Sequence, residues 1–347
     1  KRYIKKAIAA AEKAGTEYVF VEAALLIEEK YDEICDELWY IYADEEVRKE
    51  RLIEGRGYSE KKVREIMANQ LSEDEFSSHC DFELCSIASG SSGNCIFAGS
   101  ETTSLLIDAG ISGKRVEAGL AVLDRSAKEL DGILVTHEHS DHIQGLGVLA
   151  RRYGIPIYAT DGTIQAMQQT KSLGKFPEGI FHTIHADDTF TLGDIAVHPF
   201  TISHDAAEPV GYRMESGGKS IAIATDLGVY SDYTVQNLTG LDAVLLEANH
   251  DENMLAVGPY PYPLKQRIAG AKGHLSNLAA GHLLCEILHD NLQEVLLGHL
   301  SKENNYEALA FETVACEVTT GDNPYRSGDF HLAVAKRSEV SPDFPGL

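Results

Sequence analysis

Four potential metal ligands, His137, His139, Asp141 and His142, crowd into the run Thr136-His137-Glu138-His139-Ser140-Asp141-His142. Gly132-Ile133-Leu134-Val135, directly before it, has the short continuous apolar pattern of a buried strand. Helical periodicity follows over Ile143-Tyr153. In a loop leaving a strand, His137 and His139 project to one side, while Asp141 and His142 fold round to a second point. Imidazole and carboxylate together suit zinc and other first-row divalent ions. A solvated loop that merely happens to be rich in histidine is the bland alternative, and it leaves the strand before and the helix after unexplained.

One loop does not supply enough ligands for two ions, and the same arrangement recurs downstream. Apolar strand patterns lead into His204 in Thr201-Ile202-Ser203-His204-Asp205, into Asp226 in Ala224-Thr225-Asp226, and into His299 after Glu294-Val295-Leu296-Leu297-Gly298. His204 is expected to complete a three-histidine set with His137 and His139. Asp226 is placed to bridge, and His299 to join Asp141 and His142. Taken singly, each is as readily a hydrogen-bonded loop residue; together they meet the ligand count of a two-ion centre. Two ions sharing one water lower its pKa and hold it as hydroxide. Asp141, which can orient that hydroxide besides ligating, is expected to tolerate change least. Zinc is the expected metal and manganese the alternative.

The chain divides near residue 82. Beyond it, short strands are expected at Phe82-Ile87, Cys95-Ala98, Ser104-Ile107, Gly132-Val135, Ile195-Phe200, Val210-Met214, Ser220-Ala224 and Ala243-Leu246. Helices are expected at Gly162-Gln169, Ser276-His289 and Tyr306-Cys316 besides the one after the ligand run. Many short strands with helices between them fit a sheet-on-sheet core covered by helices. Pro259-Tyr260-Pro261-Tyr262-Pro263 reads as a stiff extended loop. Before residue 82 the texture is α/β with abundant charge: helices over Arg2-Lys13, Glu45-Leu52 and Ser59-Ala68, and strand-like runs at Tyr18-Val21 and Glu37-Tyr42.

A formal charge of −24 rules out nucleic-acid binding through a broad basic surface. A nucleic-acid substrate therefore has to be drawn by metal and by a local basic patch. The six cysteines, at 35, 80, 85, 95, 285 and 316, show no framework spacing and no Cys-x-x-Cys pair. Free thiols of a reducing compartment follow, hence a cytoplasmic protein. No stretch reaches the roughly 20 apolar residues of a membrane helix, and no secretory signal is visible. The chain opens on Lys1 rather than Met, so upstream sequence is expected.

The ligand run, Asp108 in Leu106-Ile107-Asp108-Ala109-Gly110, His204, Asp226 and His299 resemble, in order and spacing, the motif series of the metallo-β-lactamase superfamily. Ser89-Gly90-Ser91-Ser92-Gly93-Asn94, Glu247-Ala248-Asn249-His250-Asp251, Gly273-His274-Leu275-Ser276-Asn277 and Gly298-His299-Leu300-Ser301-Lys302-Glu303-Asn304-Asn305 look like its YycJ/WalJ-type branch, over about 82–338. The resemblance implies an αββα sandwich, two divalent ions, and a phosphodiesterase acting on nucleic acid, above all a DNA exonuclease working from a 5′ end. It also implies that His274 contacts the scissile phosphate and protonates the leaving oxygen. Read bottom-up, Ser276 is a good N-cap, and a helix N-terminus beside an imidazole can seat a phosphate. Lys265, Arg267, Lys272, Lys302, Asn304 and Asn305 are candidate phosphate contacts; His250 reads either as a neighbour of the ligands or as a substrate contact. The Ser89-Gly93 loop lacks a Gly-Lys-Ser/Thr ending and reads as a tight turn near the metals. The alternative reading is a hydrolase of a small phosphodiester or thioester, which suits the charge better. A true β-lactamase is not expected, because such enzymes are exported.

Residues 1–81 resemble part of a dephospho-CoA kinase, through Val21-Glu22-Ala23-Ala24-Leu25-Leu26, Cys35-Asp36-Glu37-Leu38-Trp39, Tyr42-Ala43-Asp44-Glu45-Glu46-Val47-Arg48, Arg56-Gly57-Tyr58-Ser59 and Ile66-Met67-Ala68-Asn69-Gln70. The expected organisation is thus a partial P-loop-kinase-like α/β segment, 1–81, followed by a hydrolase domain, 82–347. The Gly-x-x-x-x-Gly-Lys-Ser/Thr loop is absent from this chain, so it has nothing to cradle ATP phosphates. A kinase-related role is expected only if that loop lies upstream; otherwise two genes have been joined near residue 82.

Overall fold

In a computed structural model of the protein, the described residues are 82–100 and 102–341, with isolated positions before residue 82. Chain contacts separate two units, Lys1–Cys80 and Asp81–Leu347. Ile4, Ile8, Ala11 and Lys13 are helical, as is Lys62 within the helix expected over Ser59-Ala68; the other elements expected before residue 82 lie outside the described residues.

The second unit is built on two mixed sheets. One has the order β1 (Glu83–Ala88), β2 (Cys95–Gly99), β3 (Ser104–Ile107), β4 (Gly132–Leu134), β5 (Ile157–Ala159) and β6 (Phe181–Thr183). The other runs from β7 (Phe190–Leu192) through β8 (Ile195–Thr201), β9 (Val210–Ser216), β10 (Lys219–Ala224), β11 (Ala243–Glu247) and β12 (Glu294–Gly298) to β13 (His331–Val334). Each begins as antiparallel hairpins and ends in parallel strands. The parallel connections carry helices, as the crossover requires.

In the first half these are α1 (Gly113–Val122), α2 (Ser140–Ile143), α3 (Leu146–Tyr153) and α4 (Asp161–Gln169). The second half has α5 (Asp232–Leu238), α6 (Glu252–Val257), α7 (Tyr262–Ile268), α8 (Asn277–Ile287) and α9 (Glu307–Thr320). Side-chain alternation along the strands divides the core into three layers. Leu105 and Ile107 of β3 face the second sheet and meet Tyr212, Ile221 and Leu245. Leu106, pointing the other way, packs with Val116, Leu120, Leu149 and Met167 of α1, α3 and α4. On the far side, Val244, Leu246 and Leu297 pack beneath Leu283, Leu284 and Val314 of α8 and α9. The result is the expected αββα sandwich.

Most strand boundaries fall within a residue or two of the sequence pattern. The proline-rich segment does not: Pro261 is the N-cap of α7, and Pro263 occupies its first turn. A missing N–H costs nothing there, so the extended loop ends earlier than the prolines suggest.

Gly110 couples the loop after β3 to the ligand run. Its N–H donates to the Asn94 carbonyl at 2.7 Å, and a Cβ there would stand 1.6 Å from the Asp141 carbonyl oxygen. Only glycine permits this approach. Gly110→Ala is expected to destabilise the domain by about 1–3 kcal/mol through overpacking. At roughly 2–4 °C per kcal/mol for a domain of this size, calorimetry will show a melting temperature lower by several degrees; an unchanged midpoint would contradict the contact.

Candidate metal centre

Parallel strands deliver their carboxyl ends to one edge, and here that edge carries the polar residues. Asp108 follows β3, the run 136–142 follows β4, Asp226 follows β10, Glu247 ends β11 and His299 follows β12. His204 arrives from β8. Among the described residues, five that are not glycine have positive φ; Asp108 (61°), Asp226 (61°) and His299 (56°) are three of them. Such backbone is unfavourable for a side-chain-bearing residue and tends to be retained where a site requires the direction it confers.

The structure brings together all seven residues expected to ligate metal. His137, His139 and His204 offer nitrogens within 4.8 Å of one another, and Asp141, His142 and His299 form a second such set. Asp226 lies between the sets. Its Oδ1 is 3.6 Å from His204 Nε2 and 3.5 Å from His299 Nε2, while Oδ2 is 3.3 Å from His142 Nε2. His274 enters from one side, with Nδ1 3.5 Å from Asp226 Oδ1.

Four of the imidazoles are held the same way, each by its Nδ1. The partner is Asp108 Oδ2 at 2.7 Å for His142, Glu247 Oε1 at 2.9 Å for His299, Thr136 Oγ1 at 3.0 Å for His137, and the Gly273 carbonyl at 3.1 Å for His204. Each ring therefore turns Nε2 toward the shared centre, the arrangement in which an outer partner fixes the tautomer of a metal-binding histidine. The inner atoms confirm the fit. His137 Nε2, His299 Nε2 and Asp226 Oδ2 are buried and make no hydrogen bond, a cost that a cation among them would remove.

Charge tells the same story. Asp108, Asp226 and Glu247 are buried, and Asp141 is a quarter exposed. These four carboxylates amid neutral imidazoles carry the charge that two divalent cations balance. Without cations, protons take that place. Burial is the largest influence on His142 and pushes it down, yet Asp226, Asp108 and Asp141 outweigh it and raise it to about 9. His299 is raised well above its ordinary value against the same burial, chiefly by Asp226 with Asp141 and Glu247. His137 lies well below its ordinary value, through burial and then through His142 and His204. Burial opposes ionisation of Asp141, but His142 and His299 hold its carboxyl below the usual range.

Two residues that matter here had no assigned role in the sequence. Asp108 accepts from Thr136 N and Oγ1, both at 2.8 Å, besides holding His142. Glu247 Oε1 meets both His274 Nδ1 and His299 Nδ1 at 2.9 Å, and Oε2 accepts from Leu227 N at 2.7 Å. Both obey the strand-then-acid pattern already visible for Asp226, which was signal enough to find them. The Ser89-Gly93 turn braces the centre from behind: Ser89 Oγ accepts from His299 N at 2.8 Å. Asn304 and Asn305 are buried, and Asn305 Nδ2 donates to the Ala248 carbonyl at 2.9 Å. They therefore stiffen loops and are not phosphate contacts. His250 is buried, with Nδ1 unpartnered, which removes the substrate-contact reading. A cavity of about 540 Å³ opens beside Asp141, lined by Ser91, Ser92, Glu138, Ser140 and Thr170 among others.

Comparison with known proteins agrees with this geometry. A profile of the β-lactamase superfamily domain matches residues 103–292, and one of dephospho-CoA kinase matches residues 1–89. The exodeoxyribonuclease WalJ of Streptococcus pneumoniae serotype 2 is 43% identical over 245 residues, covering 71% of this chain and 91% of that protein. The exodeoxyribonuclease YycJ of Bacillus anthracis is 41% identical over 229 residues, covering 66% and 86%. Among solved structures, the metallo-β-lactamase-fold protein YhfI from Bacillus subtilis superposes with a TM-score of 0.55 at 19% identity, over 75% of this chain and 99% of that one. The chain belongs to the metallo-β-lactamase superfamily and carries a dephospho-CoA kinase-like segment at its start. As a member of that fold with this His/Asp cluster, it binds divalent metal.

Proposed function

We propose that the domain beginning near residue 82 is a two-metal phosphodiesterase that degrades DNA as an exonuclease in the cytoplasm. The observation that carries the metal centre is the set of imidazoles whose Nδ1 atoms are each held from outside while Nε2 faces a buried, acid-rich centre. DNA as substrate is supported by the two relatives, both named exodeoxyribonucleases, that align over most of their length. His137, His139 and His204 would hold one ion and Asp141, His142 and His299 the other, with Asp226 between. Zinc suits this nitrogen and oxygen set best, and manganese is the competitor. Bound there, the ions would activate a water and offset charge on a phosphoryl oxygen.

The chain's own groups complete the chemistry. Asp141, the most solvent-accessible member of its set, can orient the attacking water and accept its proton. His274 is a fifth exposed, and its Nδ1 is taken by the buried Glu247. Its Nε2 is thus the nitrogen that can pass a proton to the leaving oxygen. His274→Ala is expected to lower turnover by roughly 10²-fold or more, the scale of a lost general acid, with metal content unchanged; loss of an ion in that variant would make His274 a ligand.

Incubation of end-labelled duplex DNA with zinc- or manganese-loaded protein is the test. Progressive shortening from an end, abolished by chelation and restored by metal, is the expected result. Intact DNA alongside turnover of a small phosphodiester or thioester would overturn the DNA reading in favour of a small substrate, which the charge of −24 suits.

A further inference from the structure

Residues 253–285 contain no Asp or Glu, in a chain that has 54 among 347 residues, and they carry Lys265, Arg267 and Lys272. The first half of this stretch forms an arm of two short helices, α6 and α7, leading directly into His274. Nothing in α7 is buried. Val257 is 85% exposed and Tyr262 71%. Yet the arm is braced. Asp251 caps α6 by accepting from Met254 N at 2.8 Å, Lys265 Nζ donates to the Ala256 carbonyl at 2.7 Å, and Pro261 sets the start of α7. The tyrosine is therefore held out into solvent by a built support.

Arg267 ties the arm to the metal centre. Its guanidinium forms a two-point pair with Asp205, Nε to Oδ2 at 2.5 Å and Nη2 to Oδ1 at 3.1 Å, and Asp205 is the neighbour of His204. The guanidinium is 56% exposed, so a phosphate of an incoming strand can compete with Asp205 for it. Planar two-point binding serves a phosphate as well as a carboxylate.

An exposed aromatic ring on a support carrying Lys265, Arg267 and Lys272 beside a hydrolytic centre combines the two elements by which single strands are held, stacking on bases and attraction to the backbone. We propose that the α6–α7 arm guides a single DNA strand into the centre. Tyr262 stacks on a base, Lys272 meets the backbone, and Arg267 leaves Asp205 for a phosphate of the incoming strand. Most of the surface repels DNA, so the arm supplies the local attraction that the net charge denies elsewhere. The proposal rests on the DNA reading above.

Two readouts separate the arm from the chemistry: binding of a fluorescein-labelled single-stranded oligodeoxynucleotide, and hydrolysis of bis(p-nitrophenyl) phosphate, which is too small to span both centre and arm. Tyr262→Ala is expected to weaken strand binding about ten-fold, with Tyr262→Phe restoring it, as stacking requires. Lys272→Ala is expected to flatten the salt dependence of binding by about 0.7 in logarithmic slope. Hydrolysis of the small diester stays at the parent rate in both. Variants that bind like the parent would overturn the proposal, as would a small-diester rate that falls in step with strand binding. A parent protein that hydrolyses the diester but binds no strand overturns the arm and spares the hydrolase. One that hydrolyses neither substrate with metal contradicts the functional reading itself, while strand binding still decides the arm.

Discussion

Replacing Asp141 by alanine is expected to lower hydrolysis by about 10²- to 10⁴-fold, the range supplied by a positioned proton acceptor, while leaving the fold in place. The carboxylate stands 3.7 Å from His142 Nε2 and 3.5 Å from His299 Nε2. At a quarter exposed, it is the point where its set of ligands meets solvent and the adjoining cavity. Its backbone does separate work: the Asp141 carbonyl accepts from Asn94 N at 2.8 Å, a bond that alanine keeps. Circular dichroism and the melting temperature should therefore change little while turnover collapses. A variant retaining turnover within ten-fold of the parent would contradict the assignment of Asp141.

Asp226→Asn is expected to reduce bound metal from two ions to one or none, and to remove activity with it. The Asp226 carboxylate reaches both histidine sets, with Oδ1 facing His204 and His299 and Oδ2 facing His142. Asparagine keeps the shape and tolerates the positive φ of 61° at this position, which alanine would not. The change thus isolates the charge. Loss of that carboxylate also removes the strongest of the influences that raise His142 and His299. Metal analysis of the purified variant, with turnover measured on the same preparation, checks both consequences. Two ions and full activity would show that Asp226 does not bridge.

The clustered His and Asp residues were legible because their pattern is local: an apolar strand run is easy to see, and a His or Asp just beyond it marks the strand's carboxyl end. What brings those ends together is the parallel register of β10, β11 and β12, for instance Glu247 opposite Gly298, and pairing across distant segments leaves no local trace. Glu247 illustrates the gap. Its segment stood out, but only the register places its carboxylate between His274 and His299. Short elements were the other loss. Strands β5, β6 and β7 span three residues each, too few for a period to be read, and α7 begins inside a proline run that reads as extended. Asn304 and Asn305 erred in the opposite direction, because a polar residue in a loop looks exposed until its backbone partners are known.

The central claim is that two ions lie among seven side chains, with Asp226 between them. A crystal grown with zinc and measured at the zinc absorption edge tests it most directly. The account predicts two anomalous peaks, one among His137, His139 and His204, the other among Asp141, His142 and His299, each within ligand distance of Asp226. A single peak, or peaks away from these residues, would contradict it.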